Sequence, residues 1–185
     1  KLLHEVSNTE YLDLAVVYSL EFQEHGPYIY SVRITKKMLE QMNVSVEELH
    51  KQALTNMKRK FPYKIEPLED IILNQTAFDR EHIPDGNQLN LPVYVIQNRL
   101  EADGAAVILD QEPFEMLAHQ LGTNLLVLPT SVHELMAMPE MPDEMVENMK
   151  TLLMKMNLGS VKTEEQLSPH VYRYDREKRE MEIAD

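Results

Sequence analysis

Three groups of residues carry the types that could do chemistry. The first is Ser131-Val132-His133-Glu134, which sets a hydroxyl, an imidazole and a carboxylate within four residues. Those are the parts of an activated serine nucleophile. Their spacing argues against it, because on a strand Ser131 and His133 face one way and Glu134 the other, so the three cannot form a triad among themselves. The chain has no Gly-x-Ser-x-Gly elbow, and its five glycines are scattered, which gives no local frame for an oxyanion hole.

The second group is Ser168-Pro169-His170-Val171-Tyr172-Arg173-Tyr174-Asp175. On a strand it places His170, Tyr172 and Tyr174 on one face, with Arg173 and Asp175 on the other. His133 and His170 together could make half a metal site, and Glu134 or Asp175 could complete it. No His-Glu-x-x-His or comparable ligand spacing supports such a site, and histidines that hydrogen-bond the backbone are far commoner, so no metal and no cofactor is assigned. The third group is methionine, with seven of twelve between Met136 and Met156. Thioethers can hold copper(I), but Met145 and Met149 have the spacing of a helix core face, which favours packing. Asp13, Asp103, Asp110 and Asp143 lie near turns or helix starts, where capping accounts for them. Nucleotide-binding glycine loops, EF-hand loops and zinc-finger spacings are all missing.

The elements that must position these residues can be read along the chain. Tyr11 to Phe22 is expected as a strand, followed by a turn at Gly26-Pro27 and a returning strand from Tyr28 to Ile34. Ser45-Val46-Glu47-Glu48 has the form of a capping box, and Val46, Leu49, Ala53 and Met57 make the apolar stripe of the helix it starts. Lys58, Arg59 and Lys60 close that helix, where cations suit the dipole better than they suit a nucleic acid. A short helix is expected over Pro67 to Asn74 and an exposed loop over Gln75 to Asn90, with His82, Pro84, Asp85 and Gly86. Pro92 to Gln97 and Ala105 to Leu109 read as a second hairpin around Glu101 to Gly104.

Asp110 can cap a helix through Phe114, Leu117, Ala118 and Leu121 that stops at Gly122. Asn124 to Leu128 and Val132 to Met138 read as strands, and Pro142 starts a helix that buries Met145, Met149, Leu152, Leu153 and Met156 before Gly159. Val171 to Tyr174 and Met181 to Ile183 close the chain as strands around Asp175 to Lys178. Hairpins and helices alternate without a βαβ rhythm, which predicts an α+β fold: a mixed, largely antiparallel sheet built from hairpins, with helices packed on it. No repeat and no linker divides the chain, so residues 1–185 are expected to form a single domain.

Composition narrows the function. Among 185 residues, 43% are hydrophobic, enough for a real core. Acidic side chains outnumber basic ones 31 to 18, and a formal charge of −13 repels phosphates and anionic lipid, so neither nucleic acid nor membrane is an expected partner. Absence of cysteine excludes disulfides, thiolate zinc sites and cysteine nucleophiles and fits a reducing compartment, with cytoplasm the expectation. The apolar runs fall short of the roughly 20 residues a membrane helix needs. The chain starts at Lys1 and not at methionine, so an upstream portion is expected.

Four stretches carry a resemblance: Tyr11 to Tyr18, Leu91 to Asn98, Leu126-Val127-Leu128-Pro129-Thr130-Ser131-Val132-His133-Glu134, and Leu167 to Asp175. Through them the chain resembles a domain-of-unknown-function family of anaerobic Gram-positive bacteria. The family's usual forms of the last two read Leu-Pro-Ser-Ser-hydrophobe-His-Glu and Ser-Asp-His-Val-Tyr-Arg-Tyr-Asp, from which this chain departs at Thr130 and Pro169. The resemblance implies a full-domain match, no assigned activity and an additional N-terminal region in most members. It also implies that a site shared by the family would draw on His133, Glu134, His170, Tyr172 and Tyr174. The closing order of two strands, a helix and two strands is similar to a second uncharacterised bacterial family. The expected function is therefore a non-enzymatic binding or interaction domain for a protein or small ligand, with Ser131, His133, Glu134, His170, Tyr172, Tyr174 and Asp175 as candidate site residues. The alternative is a metal-dependent or hydrolytic enzyme using His133 and His170 with Glu134 or Asp175.

Overall fold

The computed structural model describes residues 2–22, 30–75, 91–159 and 161–184. The expected turn at Gly26-Pro27, the start of the next strand at Tyr28 and the loop residues His82, Pro84, Asp85 and Gly86 lie outside them. Contacts divide the chain into two compact units, Lys1–Lys60 and Phe61–Asp185.

In the first unit, α1 (Leu2–Glu5) precedes β1 (Asn8–Tyr11) and β2 (Leu14–Val17), which form an antiparallel hairpin with Tyr11 opposite Leu14. The expected single strand from Tyr11 to Phe22 is thus broken. Leu12 turns the chain with a positive φ of 53°, a conformation that residue type does not advertise. The strand resumes as β3 (Ser19–Phe22), which pairs with β4 (Tyr30–Arg33) in the expected hairpin. Thr35 then caps α2 (Lys36–Met42), its hydroxyl accepting from the Met38 N–H, and Asn43 ends that helix in the left-handed region.

The capping box forms as expected: Glu48 N–H donates to Ser45 Oγ at 3.1 Å, and Ser45 N–H donates to Glu48 Oε2 at 2.9 Å. It starts α3 (Val46–Lys60), whose Val46, Leu49 and Ala53 pack against a core of Tyr18, Ile34 and Leu39. Lys58, Arg59 and Lys60 occupy its last turn.

The second unit is a six-stranded sheet, antiparallel at every pairing, in the order β10-β9-β7-β8-β6-β5. Its elements are β5 (Tyr63–Pro67), α4 (Leu68–Gln75), β6 (Tyr94–Asn98), α5 (Gln111–Leu121), β7 (Leu125–Leu128), β8 (Leu135–Pro139), α6 (Asp143–Gly159), β9 (Tyr172–Asp175) and β10 (Glu180–Ile183). The expected hairpin after Pro92 does not exist. Residues Gly104–Leu109 form a 3-10 helix, and β6 pairs with β5 and β8 instead. Ala105, Val107 and Ile108 are all buried, and a short run with no alternation does not distinguish a strand from a helical turn. The expected strand from Val132 also starts later, at Leu135.

Alternation along the strands gives the sheet two buried faces. Leu126, Leu128, Met136 and Met138 meet α6 through Val146, Met149 and Leu153. Leu125 and Val127, registered against Tyr174 and Tyr172, lie on the other face, where Phe114 of α5 packs on the Tyr174 ring at 5.9 Å. Asp110 caps α5 by accepting from the Glu112 N–H, and Gly122 closes it with φ 72°. On α6 the apolar face is narrower than the spacing suggested, because Leu152 is exposed.

Candidate functional site

The two histidine-bearing segments leave the same end of the sheet. The antiparallel register of Val127 with Tyr172 sets the end of β7, which leads into Thr130 to Glu134, beside the start of β9, which follows His170. Neither histidine lies on a strand. Ser131 to Glu134 is a tight turn. Ser131 Oγ accepts the His133 N–H at 3.1 Å, while Ser131 N–H and Thr130 Oγ1 both donate to the Glu134 carbonyl, at 3.3 and 3.1 Å. A serine whose hydroxyl holds its own turn closed is a structural group in this arrangement.

His133 extends the clamp to two other segments. Its Nδ1 accepts the Asp103 backbone N–H at 3.2 Å, which places the proton of a neutral ring on Nε2, and Nε2 lies 4.0 Å from Glu165 Oε1. Two backbone bonds run alongside. Ala105 N–H donates to the Val132 carbonyl, and Val132 N–H donates to the Glu165 carbonyl. Gly104 lies so close that a Cβ there would stand 2.2 Å from the His133 carbonyl oxygen. The segments 101–105, 130–134 and 163–165 are thereby tied into one knot around this imidazole.

Glu134 is half-buried. Its carboxyl is held above the ordinary carboxylate range, mainly by burial, with the neighbouring His133 opposing the shift and Glu101 adding to it. Glu101 itself is hydrogen-bonded by Lys64 Nζ at 2.6 Å.

The second motif divides between core and rim. Tyr172 and Tyr174 are buried at 0% and 1% exposure, and the Tyr174 hydroxyl has no hydrogen-bond partner. Burial, with Glu115 nearby, raises its pKa. His170 is half-buried, and its N–H donates to Ser168 Oγ at 2.9 Å. Asp175 sits at the far end of β9, across four strand residues that span about 13 Å. There its Oδ1 accepts the N–H groups of Glu177 and Lys178, the backbone bond from Lys178 doing most to hold its pKa low. Arg173, on the other face, pairs with Glu140 at 2.8 Å and Asp143 at 2.9 Å.

The structure therefore brings Ser131, His133 and Glu134 into one turn and sets His170 at the same end of the sheet. It sends Tyr172 and Tyr174 into the core and Asp175 to the opposite end. Among the described residues, no group of three or more His, Asp or Glu side chains could hold a metal ion.

Two features lie outside the histidine motifs. One is a polar chain in the first unit, where the buried Tyr18 hydroxyl is hydrogen-bonded to Thr9 Oγ1 at 2.6 Å and to His50 Nδ1 at 2.8 Å. The other is an exposed apolar face on the β3–β4 ribbon, formed by Leu20 (40% exposed), Phe22 (46%), Tyr30 (50%) and Val32 (45%). Leu20 is registered with Val32 and Phe22 with Tyr30, whose rings stack at 5.9 Å. Among the described residues no third strand joins this ribbon, and no helix is long and apolar enough to cross a membrane.

Fold and site together define an α+β protein with an antiparallel sheet covered on both faces, whose serine–histidine motif ties loops together. The chain belongs to a family of unknown function (DUF5688), whose model matches residues 1–176. No curated protein and no solved structure matches it.

Proposed function

We propose that the chain is a non-enzymatic, cytoplasmic binding domain that holds another protein on the apolar face of the β3–β4 ribbon. One observation carries the reading: Leu20, Phe22, Tyr30 and Val32 share one face of a two-stranded ribbon and are each 40–50% exposed. An isolated two-stranded ribbon is marginal in water, and an uncovered apolar face is where a protein partner gains most from contact.

Area and charge select the occupant. The face offers on the order of 300 Å², so two copies meeting through it alone would bury about 600 Å², below the roughly 1,000 Å² of a stable dimer. A different protein that also pairs with a ribbon edge gains backbone hydrogen bonds as well as the apolar contact. Residues 1–60 carry eight basic and eight acidic side chains, so the net charge of −13 belongs entirely to residues 61–185. A neutral unit suits an apolar partner strand, and the acidic remainder disfavours nucleic acid and anionic lipid. The lack of cysteine supports the cytoplasm as the setting.

Because the chain has no cysteine, a single photo-crosslinker can be attached at Val32→Cys on the apolar face or at Ser31→Cys on the polar one. In extract of the source cells, the Val32 position should give a distinct adduct with another protein and the Ser31 position about tenfold less. Equal yields from the two faces, or an adduct only with a second copy of the chain, would overturn the proposal.

The enzyme alternative keeps one favourable observation, the shared end of the sheet at which His133 and His170 emerge. Asp175 is too far away to serve it, and Ser131 is committed to its own turn. Saturable zinc binding that His133→Ala and His170→Ala each abolish would favour it.

A further inference from the structure

A cleft of about 560 Å³ in the first unit lies between the segment entering β1 and the junction of α2 with α3. Its volume falls within the ordinary range of small-molecule sites. Three of its features are unexplained by the fold. Ser7 lines it, is 1% exposed, and its hydroxyl has no hydrogen-bond partner, an uncommon state for a buried polar group. Asn8 donates both amide hydrogens, to the Leu3 and Val6 carbonyls at 2.9 and 3.0 Å, which leaves its Oδ1 as an acceptor. Lys36 and Glu40 stand one turn apart on α2 and both line the cleft, and among the described residues neither side chain makes an ion pair or a hydrogen bond.

The remaining lining charge, Glu48, is already committed to the Ser45 N–H. The cleft thus offers one unengaged cation and one unengaged carboxylate, with Val44 and Val46 as apolar wall. A simple anion would meet Glu40 and Glu48, and a simple cation would meet Lys36. A ligand carrying both charges satisfies both ends.

We propose that this cleft binds a small zwitterion of amino-acid size, its ammonium group on Glu40 and its carboxylate on Lys36, with the Ser7 hydroxyl free to donate and Asn8 Oδ1 to accept. The β3–β4 face plays no part in this site, so either proposal can fail alone.

The test is a titration of the isotopically labelled chain, followed by amide chemical shifts, with L-leucine, L-leucinamide and N-acetyl-L-leucine as probes. Leucine should give saturable shifts around Ser7, Asn43 and Val46, and each blocked analogue should bind about tenfold more weakly. Lys36→Met should remove the discrimination against leucinamide alone, and Glu40→Gln that against N-acetyl-leucine alone. Both positions are exposed, so the variants should fold normally. Equal affinity for all three probes, or no saturation by about 10 mM leucine, would overturn the proposal.

Discussion

Gly104→Ala puts the serine–histidine knot to a quantitative test. A Cβ at this position would stand 2.2 Å from the His133 carbonyl oxygen, 2.9 Å from the Asn98 nitrogen and 3.0 Å from Gln97 Cβ. Ordinary contact needs more than an ångström of additional room at the first of these. Neither backbone neighbour can yield it cheaply: Asn98 belongs to β6, registered against Tyr63 of β5, and His133 is held through its own N–H and its ring. Overpacking of a tight site costs about 1–3 kcal/mol, and backbone obstruction places this variant at about 3 kcal/mol. In urea the unfolding midpoint should fall by about 1–2 M. Gly159→Ala is the control, because nothing lies within 4 Å of the Cβ it would add. A Gly104→Ala midpoint equal to that of Gly159→Ala would refute the close approach and with it the knot.

Two further substitutions read individual groups. Burial holds the Glu134 carboxyl above its ordinary value, so the folded chain keeps this proton at pH values where the unfolded chain has lost it. The contribution to stability is complete below the unfolded value and is lost as pH rises through the folded one. Glu134→Gln should therefore match the wild type in acid and exceed it in urea midpoint at neutral pH, and a constant difference across pH would contradict this. Tyr174→Phe deletes a buried hydroxyl that has no partner and should leave stability unchanged or raise it by up to about 1 kcal/mol. A loss of more than about 1 kcal/mol in thermal or urea unfolding would mean that the hydroxyl is bonded after all.

Local rules made much of the fold legible. The Ser45 and Glu48 box, the Asp110 cap and the Gly122 stop all act within four residues, and all three form as the sequence implies. The Ala105 to Leu109 run does not declare its 3-10 form because its burial is set by packing against β6 and β8, and neither period is present in so short a segment. Tyr63–Pro67 carries no strand signal because all five residues are half-buried, so nothing alternates. Leu12 turns the chain without the glycine or asparagine that would announce it.

The candidate site was legible as a set of residues and not as an arrangement. His133 stands out by residue type, yet its partners Asp103 and Glu165 lie some thirty residues away on either side, a separation that no local pattern encodes. The exposed face of β3 and β4 has the same alternation as a buried one. Sequence period sets which residues share a face, and only tertiary packing decides whether that face is covered.

Scaffold and contact surface can be separated in one assay, with the photo-crosslinker attached at Leu20→Cys and adduct yield with the partner protein compared in two backgrounds. His133→Ala removes the acceptor for Asp103, should lower stability by about 1 kcal/mol and should leave the yield unchanged. Val32→Asp, on the registered neighbour of the label, should cut the yield about tenfold while leaving the unfolding midpoint in place. The reverse pattern, with the adduct lost in His133→Ala and retained in Val32→Asp, would contradict the assignment of binding to the ribbon and of His133 to the framework.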